Sequence, residues 1–307
     1  MSVDRENRTW TCLSGFILKL IAFATMTIDH VGAMLQMNDL SPNLAIAFRV
    51  IGRLALPLFC FLVAEGFYHS KKPGNYLLRL GIMATVIALA HVLFAFLPLI
   101  EGLSLSQYFG ISIRDYGNIF MDLLLGGLGV FLLKQKKWYL QVLAVIPFLI
   151  GFGAFICYSL ENSGEMIIHW FPFFIRPQYH FYSIGMIMLF YIGHIFKNMY
   201  LKIYSSNSGI PVESLRDTQI ERKAYNIIAL GILIIWTLIF YLVGCMIPVE
   251  WVTWDIVIQN AAIVSGAFIL LYSGKRGYNA KWFQYGSYLF YPLHLVIIFG
   301  IGLLIML

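Results

Sequence analysis

Nine stretches of about 20 predominantly apolar residues leave this chain few possible folds. They fall at about 14–36, 44–69, 75–98, 117–134, 138–159, 180–203, 224–247, 253–273 and 282–305. A backbone in hydrocarbon must satisfy its own hydrogen bonds, and apolar runs of this length do so as helices. The expected fold class is therefore all-α: a polytopic integral membrane protein of about nine transmembrane helices, forming a single domain over residues 1–307. Composition agrees, with 60% of the 307 residues hydrophobic and only 12% charged. A soluble domain has roughly half and a quarter.

The loops supply an independent test. Sixteen Lys and Arg fall on one set: residues 5 and 8; 71, 72 and 79; 134, 136 and 137; 197, 202, 216, 222 and 223; 275, 276 and 281. The alternate set holds only Arg114 and Arg176. Basic loops stay on the cytoplasmic side, so the N-terminus is expected inside, the C-terminus outside, and the protein in the cytoplasmic (inner) membrane. The same rule accounts for the net charge of +6 without nucleic acid, and makes the lipid bilayer the expected partner. Cys12, Cys60, Cys157 and Cys245 are scattered in apolar sequence and show neither metal nor disulfide spacing. No HExxH, P-loop or G-x-S-x-G elbow occurs, so no metal is expected. The first helix, with no cleavage site after it, is expected to remain as an anchor. The outer loops carry Glu101, Arg114 and Asp115, then Glu161, Glu165 and the run WFPFFIRP, which suits the membrane interface.

Three cations, Lys19, Arg49 and Arg53, lie inside the spans. Ionisable groups in a membrane mark functional sites by default. Lys19 and His30 are eleven residues apart, about 1,100° of helical turn, and so share a face across roughly 16 Å of rise. Lys19 belongs near the cytoplasmic end and Asp29 and His30 in the outer half. The next span returns Arg49 and Arg53 to that depth, four residues apart on one face. Pro57 cannot bond the Arg53 carbonyl and should kink the helix. Glu65, near the inner end, pairs with Lys19 or lines an inner vestibule. Asp122, on one face with Asn118, orients His30 or balances an arginine. Pro292 should open the last span around Tyr291 and His294. His91, His180 and His194 read as structural, and Asp255 as an acid at a helix N-terminus. On the inner surface His69, Lys71, Lys72, Arg79, Lys275 and Arg276 form basic clusters that set topology or hold phosphates.

Five segments carry a resemblance: LKLIAFATMTIDHVG (18–32), RVIGRLALPLFCFLVAEGFYHS (49–70), YLLRL (76–80), LYSGKRG (271–277) and FYPLHL (290–295). They look like the TraX family of membrane proteins, whose namesake is associated with acetylating the N-terminus of conjugative pilin. In NIFMDLLLG (118–126) the family pattern has a hydroxyl residue where this chain has Asp122, which weakens a family-wide role for it. The spacing of Lys19 and His30 is also similar to that of the acyltransferase-3 membrane enzymes, with Lys in place of Arg. The run EGF (65–67), followed by Lys71, Lys72 and Arg79, resembles their SGF-like segment.

The resemblance implies an acetyl-CoA-dependent acyltransferase. Acetyl-CoA, or another acyl-CoA, would be the donor, and the acceptor a pilin-like protein, an envelope glycan or a small molecule. On this reading Lys19, Glu65, Lys71, Lys72, Arg79, Lys275 and Arg276 hold the donor. His30, Asp29, Arg49, Arg53, Asp122, Tyr291 and His294 form the catalytic group. His30 is the general base or carries an acyl-histidine intermediate, Asp29 or a carboxylate from another span sets its tautomer, and Arg49 or Arg53 stabilises the oxyanion or holds an acidic acceptor. The alternatives are a proton-coupled transporter or flippase using the same buried groups, and a non-catalytic scaffold for envelope assembly.

Overall fold

The computed structural model of the chain describes residues 11–37, 39–96, 98–100, 103–104, 117–164, 168–246 and 256–306. Arg5, Arg8, Glu101, Arg114, Asp115, Glu165 and Asp255 lie outside the described residues. The protein is an all-α polytopic membrane protein. Its helices are α1 (Gly15–Met37), α2 (Pro42–Gly52), α3 (Ala55–His69), α4 (Pro73–Phe96), α5 (Ile119–Leu133) and α6 (Trp138–Val142). There follow α7 (Val145–Asn162), α8 (His180–Ser208), α9 (Gln219–Cys245), α10 (Ile256–Leu270, with a 3-10 centre) and α11 (Lys281–Met306). A one-turn helix, Val212–Leu215, precedes α9, and a short antiparallel ribbon joins Pro98–Ile100 to Leu103–Ser104.

Each of the nine expected spans coincides with helix, but among the described residues seven segments, not nine, are long and apolar enough to cross a membrane. The two exceptions are α5, whose 15 residues rise about 22 Å, and α10. Both still run between the two ends of the bundle. Asn118 at the start of α5 bonds the carbonyl of Phe174, while Lys134 at its end donates to the carbonyls of Phe67, Tyr68 and Ser70.

Two spans are broken in the same way. Arg53–Leu54 separates α2 from α3, and Leu143–Ala144 separates α6 from α7. In each, the first turn residue lies four before a proline, Pro57 or Pro147, which has no amide to offer its carbonyl. Pro292 has no such effect: α11 runs unbroken through it.

The helix α3 is central and is covered on most sides. Phe61, Phe67, Phe190, Tyr182 and Tyr225 are fully buried where α3, α8 and α9 meet. Glycines allow the close crossings. An added Cβ would meet Ile187 at 2.5 Å from Gly126, Met188 at 2.6 Å from Gly129, and Trp236 at 2.3 Å from Gly185. Leu78, Ile82, Leu89 and Leu93 of α4, and Leu289, Leu293, Val296 and Leu304 of α11, face outward, as lipid-facing stripes require.

The described residues between α7 and α8 are tied down. Arg176 is buried, pairs with Glu161, and donates to the carbonyls of Phe171 and Ile168. Trp170 stands 80% exposed, as an interface anchor would.

Candidate functional site

The loop Leu271–Gly277 builds one end of the site. Gly274 and Gly277 adopt φ of 75° and 72°, and a side chain at either would run into Arg222 or Ser14 at 2.5 Å. This bend lays the loop along the start of α1. The amides of Gly15 and Phe16 donate to the carbonyls of Lys275 (2.8 Å) and Arg276 (3.0 Å), so the loop satisfies amides the helix leaves open. The Leu13 amide donates to the Leu271 carbonyl at 2.9 Å, and the Ser273 amide donates to the Leu13 carbonyl at 2.8 Å.

Beside this loop opens a cavity of about 520 Å³, within the range of ordinary ligand sites. Its mouth carries Lys19, His69, Arg79 and Arg276. Its walls continue through Phe23, Tyr76, Tyr272, Phe283 and Tyr288. Tyr272 is buried in this wall. Lys19 lies 5.5 Å over the Phe283 ring.

Glu65 is the single acid among the described lining residues, and its charge is already taken. His194 Nε2 lies 2.9 Å from it, Arg222 Nη1 3.1 Å and His69 Nε2 3.7 Å. The His194 ring is sandwiched between Tyr68 at 3.5 Å and Tyr225 at 3.9 Å. Lys197 and Glu221 form a second ion pair beside it. Lys19 is thus not the partner of Glu65, because Arg222 and His194 reach it first. Lys19, Arg79 and Arg276 are therefore not neutralised by Glu65, which suits an anionic ligand. Lys71, Lys72 and Lys275 are exposed at the same end but do not line the cavity, whereas Lys19, Glu65, Arg79 and Arg276 do.

At its deep end the cavity meets Met26, Phe59, Ile119, Phe120 and Tyr291. His30 stands one turn beyond Met26 on the stripe Lys19–Phe23–Met26–His30, and His294 one turn beyond Tyr291. The two rings meet: His294 Nε2 is 3.0 Å from His30 Nδ1. Each Nδ1 also faces a carbonyl of its own helix, His30 that of Met26 at 2.9 Å and His294 that of Phe290 at 2.8 Å. A carbonyl only accepts, so Nδ1 carries the proton in both neutral rings. His294 Nε2 then accepts from His30, and His30 Nε2 carries a lone pair. Tyr291 touches both regions, lining the cavity with its ring centroid 6.2 Å from that of His30.

Asp29 does not set this tautomer. It pairs with Arg49 at 2.6 Å and Arg53 at 3.6 Å, because the helices α1 and α2 cross at Gly52. A Cβ on Gly52 would fall 2.2 Å from Asp29 Cβ. Gly52→Ala is expected to destabilise the protein by about 1–3 kcal/mol through overpacking, read as a lowered melting temperature in detergent. Asp122 is likewise engaged elsewhere. It accepts from the amides of Gln178 and Tyr179 (2.9 Å for Tyr179) and from Ser183 Oγ, tying α5 to the start of α8. The expected contact of Asp122 with His30 or an arginine is therefore replaced by a structural one.

His194 and Arg222 escape sequence reasoning because Arg222 reaches Glu65 across 157 residues, a separation no local pattern encodes. The wall from α11 does carry a signal. Gln284, Ser287, Tyr288 and Tyr291 recur at helical spacing and form a polar stripe facing that of α1.

The family described as TraX protein matches residues 14–207 of the chain. The probable fimbrial assembly protein FimC of Dichelobacter nodosus is 29% identical over 147 residues, 47% of this chain and 56% of its own length. An uncharacterized protein of Rickettsia prowazekii (strain Madrid E) is 39% identical over 70 residues, 23% of this chain and 25% of its own. The chain thus spans about half the length of the first relative and a quarter of the second. No solved structure matches it significantly.

Proposed function

The chain belongs to the TraX family, and on that premise we propose that it is an acyltransferase of the cytoplasmic membrane, moving an acetyl group from acetyl-CoA to an amine or hydroxyl acceptor. The observation that carries this reading is the stripe from Lys19 to His30, with a cationic cavity at one end and a paired histidine at the other. The donor's phosphates bind Lys19, Arg79 and Arg276, charges that Glu65 leaves uncompensated. The pantetheine arm lies along the tyrosine-lined wall and brings the thioester to Met26 and Tyr291.

The His30 Nε2 lone pair takes the acceptor's proton as the acceptor attacks the thioester carbonyl. The new imidazolium keeps its Nδ1–H on the Met26 carbonyl and His294 Nε2, two acceptors already in position. Arg49 and Arg53, fixed by Asp29 at that depth, supply positive charge to the developing oxyanion. Collapse breaks the C–S bond. The thiolate leaves, and His30 returns its proton to it. The likeness to a fimbrial assembly protein supports a pilin-like protein's amine as acceptor.

Coenzyme A should raise the melting temperature of the purified protein, since a ligand at 100 times its Kd adds about 2.7 kcal/mol. Lys19→Ala should weaken that binding about tenfold or more, the worth of one charged hydrogen bond. No shift with coenzyme A, together with pH-dependent solute uptake in vesicles, would favour the transporter reading.

A further inference from the structure

We propose that Met26 and Phe120 form a ruler that restricts the donor to short acyl groups. The inference rests on the acyl-transfer reading and names the residues that would hold it to acetyl and other short acyl groups.

The cavity and the histidine pair are not one continuous space. Among the described residues, those lining the cavity reach Met26 on α1 and Tyr291 on α11, and no further along either helix. His30 and His294 come about one turn later, roughly 6 and 4.5 Å beyond. Phe120 fills the gap from the opposite side, at the first turn of α5. Its ring lies 5.7 Å from Tyr291 and 6.5 Å from Tyr288. Phe23 stacks on Phe290 at 4.4 Å and closes the seam between α1 and α11 just below. Met26, Phe120 and Tyr291 are each no more than 8% exposed, so these side chains are packed rather than fringing an open passage.

A thioester entering from the cationic mouth therefore presents its acyl group to packed side chains. Its carbonyl has to come within about 3–3.5 Å of an acceptor held at His30. An acetyl group adds one methyl beyond that carbonyl. Each further methylene has to displace Phe120 or Met26, and packed interiors resist such insertion. Met26 is also the residue whose carbonyl holds the His30 ring. Moving that turn of α1 to admit a longer chain would disturb the base itself.

The test is binding, so it needs no acceptor. Coenzyme A, acetyl-, butyryl- and hexanoyl-CoA are titrated against the purified full-length protein in nanodiscs. The wild type should bind coenzyme A and acetyl-CoA comparably and hexanoyl-CoA about tenfold or more weakly. Phe120→Ala should bring hexanoyl-CoA to within about threefold of acetyl-CoA while leaving coenzyme A unchanged. Met26→Ala should act in the same direction, and serves if Phe120→Ala does not fold. Wild type that binds all four alike would overturn the ruler while leaving the acyl-CoA site standing. So would discrimination that survives both substitutions. Failure of coenzyme A itself to bind would overturn the acyl-CoA reading, and the ruler with it.

Discussion

His30→Ala should lower acyl-CoA turnover by roughly 10²–10⁴-fold, the usual contribution of a positioned general base, while coenzyme A binds as before. The separation follows from the geometry. His30 lies one turn beyond the deepest lining residue of the cavity on α1, whereas the cations that would hold the donor are at the mouth. Loss of kcat at unchanged donor affinity is therefore the signature of His30, and weakened donor affinity that of Lys19. His294→Ala should be milder and should shift the pH profile, because His294 supports the imidazolium without touching the acceptor. A His30→Ala enzyme with wild-type kcat would remove the base from the mechanism.

The second large effect is on stability. Asp29 forms ion pairs with both Arg49 and Arg53, at 2.6 and 3.6 Å, and its side chain is only 10% exposed. Asp29→Ala should take the shared carboxylate away from both guanidiniums where α1 crosses α2. The expected loss is about 3–5 kcal/mol, as for other broken buried pairs, read as a depressed thermal or denaturant midpoint. Replacing Arg49 and Arg53 by Met in the same variant should recover much of it, since a full apolar exchange removes the charges that Asp29 balanced. An Asp29→Ala protein that melts like the wild type would show that the pair does not hold α1 to α2.

Much of this architecture is written locally. Apolar run length alone locates the nine helical spans, including the short α5 and α10, because membrane insertion reads that same feature. It does not locate the one-turn helix Val212–Leu215. The meeting of α1 and α2 at Asp29, Arg49 and Arg53 also follows from a short connection and matching depth. What sequence does not carry is which long-range partner wins. Asp122 looks available as a partner for His30 until the start of α8 brings two amides and a hydroxyl onto it. Glu65 looks suited to Lys19 until α9 delivers Arg222 and α8 delivers His194. Both outcomes depend on helix packing around α3, which the spacing of residues within one helix does not specify. Nor does spacing show that Met26, Phe120 and Tyr291 separate the cavity from the histidine pair.

The most direct measurement is release of free thiol from acetyl-CoA by the purified protein in nanodiscs, with an envelope extract as the source of acceptor. Saturable release that is lost in His30→Ala and needs higher acetyl-CoA in Lys19→Ala is the predicted result. Coenzyme A binding with no thiol release above a protein-free control, or release that persists unchanged in His30→Ala, would contradict it.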